Sequence, residues 1–276
     1  MRNWRTAAKR TMQAAGLGFV LRARSRLIAR VASTTLSDRS AIACRHIRGE
    51  GLEIGALHTP LPVPKGAVVR YVDLFSQEDN AERFPELAQE EIVEPDLVED
   101  GFDLRSIPSC SQDFVIASHV LEHSPDPIQA FLNWSRVTRA GGTIYVIVPI
   151  AEACFDAGRE ETDLDHLIED HALSAASECD QMRERNRRHY QEWVTISERK
   201  IFADRGQHFD LSSDEAIQFR VEELLDGNAE IHFHTFSSDS FRSLLDYCCK
   251  LGRPGSRVIE YHVSSSEIVG VVEVCA

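Results

Sequence analysis

The sequence predicts an α/β protein built on a mainly parallel sheet, and three observations carry the prediction. Residues 113–149 read as strand, helix, strand: Asp113–Ser118 opens with a short apolar run of the kind that a strand buried on both faces shows. Pro125–Ala140 places Ile128, Phe131 and Leu132 at i, i+3 and i+4, begun by Pro and stopped by Gly141-Gly142, and Thr143–Val148 is again apolar and ended by Pro149. The second observation is a pair of acids, Glu53 and Asp73, twenty positions apart on two earlier strand-like runs, Gly51–Gly55 and Val68–Val72. Nucleotide-binding βαβ units use that spacing. The third is a polar, helical stretch from Ala151 to about Glu230, far longer than an ordinary connection, after which strand-like segments resume.

At 276 residues the chain accommodates one large domain, or one domain carrying an insertion. Its hydrophobic share of 43% and charged share of 27% are those of an ordinary globular protein. The net charge of −14 hides a division. Residues 1–48 hold eleven Lys/Arg against Asp38 alone, a net of +10, which leaves −24 on the rest. An acidic body argues against sequence-independent nucleic-acid binding. Seven cysteines without a CxxC pair or zinc-like spacing point to reduced thiols in a cytoplasm.

The basic arm, residues 1–48, is the first segment. Leu17, Val20, Leu21, Leu27, Ile28 and Val31 lie near one helical face, with Arg22, Arg26 and Arg30 on others. Such a helix suits peripheral contact with anionic lipid at the inner face of a membrane, or packing on the domain or a second subunit through residues 1–34. An Arg-rich, acid-poor arm also fits an organellar transit peptide; a signal peptide and a spanning helix are both disfavoured. Ser37 is placed to cap a short helix through Arg48. In the text GLEIGALHTPL that follows, Pro60, Pro62 and Pro64 predict an irregular loop. Ser76 with Asp79 starts a helix that Pro85 interrupts, and Ile92–Val98 is a third strand, put at a sheet edge by Pro95.

DFVIASHVLEH (113–123) followed by RAGGTIYVIVP (139–149) resembles the fourth and fifth strands of class I S-adenosylmethionine (SAM)-dependent methyltransferases. The resemblance implies a Rossmann-like, seven-stranded methyltransferase sheet in the order 3-2-1-4-5-7-6, with a helical insertion after the fifth strand. The core is then 49–150 and 231–276, and the insertion or lid 151–230. Within the insertion, Glu178–Lys200 is charge-dense with Met182, Tyr190, Trp193 and Val194 interspersed, a pattern for a lid or subunit contact. Ser212 and Glu215 read as a capping box before a helix ending at Gly227. Phe241, Leu244, Leu245 and Cys248 then share a helix face stopped by Gly252, and Val258–Val263 with Ile268–Val274 read as a strand hairpin.

The resemblance also implies the cofactor, SAM, and its contacts. Glu53, Gly55 and Ala56 would meet the methionine part, although Leu57 and Thr59 replace the later glycines of the usual turn. Asp73, with Leu74 beside it, would accept from the ribose hydroxyls. Asp100 and Gly101 would lie at the adenine, with Glu99 and Asp103 as competitors for that place, and Ser118 and His119 at the end of the fourth strand complete the set.

Two polar constellations are candidates for chemistry. His119, Glu122 and His123 fall at i, i+3, i+4 after the fourth strand, where open α/β sheets place their ligands. The HxxEH string also matches a zinc-peptidase pattern, set aside because that motif sits within a long helix. Ubiquinone-pathway O-methyltransferases and small-RNA 3′-end methyltransferases, similar in this segment, hold a divalent ion there. Two imidazoles and a carboxylate would suit zinc, with His166 or Asp156 as a further ligand, but the preferred reading has no metal and takes His123 as general base. The second constellation is Asp156, Arg159, Thr162, His166 and Asp170; the last four are spaced to share one helix face aimed at the crevice. His232 and His234 alternate on a strand-like piece that turns both to one side.

The expected activity is SAM-dependent methyl transfer to oxygen of a small-molecule or glycan-like acceptor, with His123, His119, Glu122 and His166 as catalytic candidates. The rival is a scaffold or regulator of the same fold that has lost its cofactor. A nicotinamide-dependent oxidoreductase is disfavoured by the missing glycines.

Overall fold

The structure, a computed structural model, describes residues 38–176, 179–206 and 213–276. Its centre is a seven-stranded sheet of β1 (Glu50–Ile54), β2 (Val68–Asp73), β3 (Leu97–Val98), β4 (Gln112–Ser118), β5 (Thr138–Pro149), β6 (Arg257–Val263) and β7 (Glu267–Glu273). The order is β3-β2-β1-β4-β5-β7-β6. The first five strands run parallel, while β7 is antiparallel to both β5 and β6. This is the seven-stranded Rossmann-like sheet that the sequence implies.

Alternate residues of the central strands feed two cores, as a pleated strand covered on both faces requires. Leu52, Ile54, Val115, Ala117, Ile144, Val146 and Val148 face one side. There they meet α3 (Pro127–Val137) and α8 (Ser238–Leu251) through Phe131, Trp134, Phe241 and Leu244. Phe114, Ile116, Tyr145, Ile147, Val269 and Val271 face the other side, against Ile42, Ala43 and Ile47 of α1 (residues 38–46). The last stretch of the basic arm therefore belongs to the core. Residues 1–37, with the apolar face and arginines expected to contact lipid or a partner, lie outside the described residues.

Several boundaries differ from expectation for local reasons. The helix after β4 starts at Pro127, because Asp126 is its N-cap and accepts from Gln129 N. It ends at Val137, because Arg139–Gly142 already belong to β5. Gly141 has φ +79 there, and a Cβ on Gly142 would lie 2.7 Å from Asp113 O. The third strand shrinks to two residues at the sheet edge, since Pro95 lies just before it. Helix α2 (Gln77–Arg83) is capped by Ser76 and followed by a short turn at Pro85–Leu87.

Between β5 and β6 lie α4 (Leu164–Ala175), α5 (Cys179–Glu192), a π-helical stretch Trp193–Glu198, α6 (Arg199–Asp204) and α7 (Asp214–Asp226). The charge-dense segment read as a lid or contact surface buries Tyr190, Trp193 and Val194 in a separate core with Val221, Leu224, Ile231 and Phe233. The N-cap of α7 is Ser213, accepting from Ala216 N, one residue later than expected; Ser212 lies outside the described residues. Gly227 caps its end.

Candidate active site

Strand order reverses between β1 and β4, whose carboxyl ends are the switch point at which open α/β sheets leave a crevice. A cleft of about 510 Å³ opens there, within the range of small-molecule sites. Ile54, Gly55 and Leu57 form its floor, Asp73, Leu74, Asp100 and Gly101 one wall, and His119, Val120 and His123 the other. The insertion roofs it with Asn186, Tyr190, Asn228 and Glu230, joined by Phe233 from the segment that follows. Arg83 of α2 crosses to Glu230, 3.5 Å away, and stacks on Phe75 at 3.8 Å, tying roof to core.

The backbone is specialised at this end of the sheet. Gly55 leaves β1 at φ +63 and His119 leaves β4 at φ +55, a left-handed conformation uncommon for a residue with a side chain. His119 N donates to Ile147 O at 2.9 Å, which holds the turn in place. Gly101 lies so close to Ile54 that a Cβ would strike its Cγ2.

Of the residues expected at a cofactor, Gly55, Asp73, Leu74, Asp100, Gly101 and His119 line the cleft. Glu53 does not. It is fully buried, and its Oε1 accepts from Leu61 N at 2.8 Å, so it anchors the proline loop from below. Burial pushes its carboxyl up to about 8, against the Leu61 N–H, and its Oε2 has no hydrogen-bond partner. Ala56 is buried and Ser118 half-buried, and neither lines the cleft. Asp73 Oδ1 accepts from Phe75 N at 3.0 Å and Asp100 Oδ1 from Phe102 N at 2.8 Å, which fixes both carboxylates at the rim.

Among the expected catalytic residues, His123 lines the cleft and sits on a 3₁₀ turn, Leu121–His123. Its Nδ1 lies 3.0 Å from Ile231 O, so Nδ1–H donates and Nε2 is the basic nitrogen. Glu122 is fully buried behind it, and its nearest donor is His119 Nδ1, 3.5 Å from Oε1. Burial works to raise its pKa, but the imidazoles of His119, His123 and His232 outweigh that and bring it to about 2. His119 is engaged on both nitrogens: Nδ1 lies 3.5 Å from Glu122, and Nε2 lies 3.3 Å from Glu267 and 3.0 Å from Arg39. Burial lowers its pKa, yet the two carboxylates more than offset this and the net shift is upward. A ring held this way bridges two buried acids and is poorly placed to take a proton from a ligand.

His166 is not at this cleft. Arg159 and Thr162 precede α4, so no helix face unites them with His166 and Asp170. Arg159 instead binds Asp156 Oδ1 at 3.0 Å, His232 O at 2.8 Å and Glu192 at 2.9 Å within the insertion. Asp156 also accepts from Ser197 at 2.6 Å and meets His232 Nδ1 at 2.6 Å. His232 and His234 are both buried and enter different clusters, His232 between Asp156 and Glu122, His234 against Asp170. Arg39, Glu230 and His189 had no motif to announce them; each arrives from a segment remote in sequence.

Sheet order, switch-point cleft and the rim acids at the ends of β2 and β3 are the arrangement that the resemblance to class I methyltransferases implies. Residues 55–146 match the model of a family described as a methyltransferase domain, which covers a third of the chain and spans β2 to β5. Over that third of its length the chain is thus similar to a methyltransferase domain. No curated protein sequence matches it. Solved structures with a similar outline include a SAM-dependent methyltransferase from Thermotoga maritima, described as a possible histamine N-methyltransferase. It is 14% identical, with 94% of this chain and 99% of that one covered and a TM-score of 0.46. A SAM-dependent methyltransferase from Aquifex aeolicus is 9% identical, with 85% and 86% covered and a TM-score of 0.40. For the CurJ carbon methyltransferase the values are 12%, 83% and 49%, and 0.40, so the chain spans about half of that protein. Likeness at this level says nothing about an acceptor.

Proposed function

We propose that the protein transfers a methyl group from SAM to a hydroxyl of a small-molecule or glycan-like acceptor, with His123 as general base. The observation that carries this reading is the position of His123. It stands on the cleft wall opposite Asp73 and Asp100, and donation of Nδ1–H to Ile231 O makes Nε2, a buried atom, its basic nitrogen. The residues present fit the cofactor: two fixed carboxylates at the rim for hydroxyl and amino groups, Gly55 and Gly101 for close approach, and Leu74 and Phe102 as apolar flanks. When bound, SAM supplies a methyl already activated on a sulfonium, so the chain's own task is positioning and removal of one proton. Glu122, anionic behind His123, stabilises an imidazolium formed by that proton. The roof offers Asn186, Asn228 and Glu230 beside Tyr190 and Phe233, a polar and aromatic mixture that favours an acceptor with several hydroxyls.

Calorimetric titration with SAM, followed by a methyl-transfer assay over hydroxyl, amine and carbon acceptors, tests the reading. His123→Ala should lower kcat by about 10²–10⁴-fold with SAM affinity unchanged. An unchanged kcat, or transfer only to nitrogen or carbon, would refute O-methylation through this base. Asp73→Ala should weaken SAM binding by roughly 1–3 kcal/mol through lost charge-assisted hydrogen bonds. One observation favours the rival reading, a domain that no longer binds SAM. Leu57, at φ +51, buries its side chain on the floor where the glycine turn of this class is expected. The same titration separates the two. The reading extends to the arm, which we assign to lipid or subunit contact: removing residues 1–34 should leave SAM affinity intact and reduce association with anionic vesicles or with a second subunit.

A further inference from the structure

We propose that His166, Asp170, His189 and His234 form a zinc-type metal site that fastens the helical insertion to the wall of the cleft. His166 and Asp170 come from successive turns of α4, His189 from α5, and His234 from the extended segment before α8. Asp170 Oδ2 lies 3.1 Å from His166 Nε2, 3.4 Å from His189 Nε2 and 3.0 Å from His234 Nε2. His166 and His189 present their Nε2 atoms to each other at 3.4 Å, and all four atoms fall within 4.8 Å of one another. Ligands held about 2.0–2.1 Å from one zinc ion in a tetrahedron are roughly 3.3–3.4 Å apart. Four of the six spacings, at 3.0–3.4 Å, are close to those edges, and the two from His234 to the other imidazoles lie within 4.8 Å.

Proton bookkeeping at His234 also points to a cation. Its Nδ1 lies 3.1 Å from Ser124 O and its Nε2 3.0 Å from Asp170 Oδ2, so both neighbours are acceptors. A neutral imidazole has one N–H and satisfies only one of them. With Nδ1–H donating to the carbonyl, the Nε2 lone pair is directed at the cluster, the arrangement of a metal-bound histidine whose second nitrogen is hydrogen-bonded behind it. Asp170 is oriented in the same manner: Arg185 Nε donates to Oδ1 at 2.6 Å, leaving Oδ2 for the centre. Asp170, His189 and His234 are buried, while His166 is partly exposed on a separate cavity of about 330 Å³. Glu160, Glu161, Asp163 and Glu192 line that cavity together with Arg185 and Arg188, and it opens His166 to an entering ion. Three nitrogens and one carboxylate select zinc or a neighbouring transition ion over magnesium or calcium. Four protein ligands make a closed, structural site.

The ion would act on the cleft at one remove. Phe233 N and His234 N donate to Glu122 O at 2.8 and 3.3 Å, so the segment carrying His234 is stitched to the turn that carries His123. Fixing His234 to α4 and α5 holds the roof at a set distance from that turn. The proposal does not depend on methyl transfer, since its readout is metal.

The full chain, purified without an affinity tag, is stripped with chelator and titrated with zinc alone, with elemental analysis of the protein before stripping. One zinc per chain is expected, and zinc should raise Tm. His166→Ala, at the partly exposed position where folding is least at risk, and Asp170→Asn should each weaken zinc binding at least roughly tenfold and abolish the Tm response; Arg185→Gln should weaken it about 10–100-fold. Glu122→Gln should bind zinc as the wild type does. Cobalt substitution should give the visible absorption of a tetrahedral site without thiolate bands. A folded wild-type chain that neither retains nor takes up zinc overturns the proposal. Wild-type affinity in both His166→Ala and Asp170→Asn does so too, as does a loss confined to Glu122→Gln, which would place the ion among Glu122, His123 and His232.

Discussion

At the scale of single residues, buried charge decides more than exposed charge does. Glu53 occupies a place expected to face the cofactor, yet no part of the cleft is lined by it, and it acts through the loop bound to its Oε1. Its carboxyl is raised from 4.5 to about 8 in the fold. Between those values the unfolded chain loses this proton while the folded chain keeps it, so stability falls as pH rises from about 4.5 to 8. Glu53→Gln removes the ionisation and should flatten that part of the profile, leaving the variant more stable than the wild type near pH 9 by a few kcal/mol at most (about 1.4 kcal/mol per pH unit). Urea denaturation at pH 5, 7 and 9 gives the comparison. A wild-type profile as flat as the variant's would mean that water reaches the carboxylate.

Among elements, the junction of α3 and β5 shows how a helix-stop signal also serves a strand. Gly141-Gly142 ends the helical pattern in the sequence, but the chain has already turned into β5 at Thr138. The two glycines have different reasons to be there. Gly141 is left-handed, at φ +79, with open space around it, so Gly141→Ala costs about 1–2 kcal/mol of backbone strain. Gly142 lies against backbone: a Cβ would sit 2.7 Å from Asp113 O and 3.0 Å from Arg139 O, neither of which can move without breaking the β4–β5 register. Gly142→Ala should therefore destabilise more than Gly141→Ala, by the 1–3 kcal/mol or more that overpacking brings. Equal midpoints in denaturant for the two variants would contradict this account.

For the molecule as a whole, Arg39, His119 and Glu267 join α1, the end of β4 and the start of β7. Burial raises the Glu267 carboxyl, but Arg39 and His119 outweigh it and hold it at about 2. A depressed acid contributes stability above its unfolded value near 4.5 and loses it as pH falls toward 2. His119, shifted upward, contributes below its unfolded value near 6.5 and loses its share as pH rises through the folded value. Arg39→Gln leaves Glu267 buried without its main partner and should cost about 3–5 kcal/mol near neutral pH. That deficit should shrink below pH 4, where Glu267 is protonated in the variant while the wild type is losing the pair. A deficit independent of pH would show that Arg39 matters through packing alone.

What the sequence by itself determined about this protein is whatever depends on local periodicity. Buried strands, amphipathic helices, their order and the acid at the end of β2 were legible because each rests on a few consecutive side chains. From these, through resemblance, followed the sheet order, the cleft at the switch point and the expectation of the cofactor. The structure alone decided how separate segments converge. His119 and His123, four residues apart, serve different purposes because one is clamped by Arg39 and Glu267 and the other is turned to Ile231 O. His166 left the cleft for a cluster completed by His189 and His234, since the helix carrying it begins at Leu164 and packs beside α5. A side chain's role there is set by contacts 23 to 148 positions away along the chain, and no local pattern encodes those.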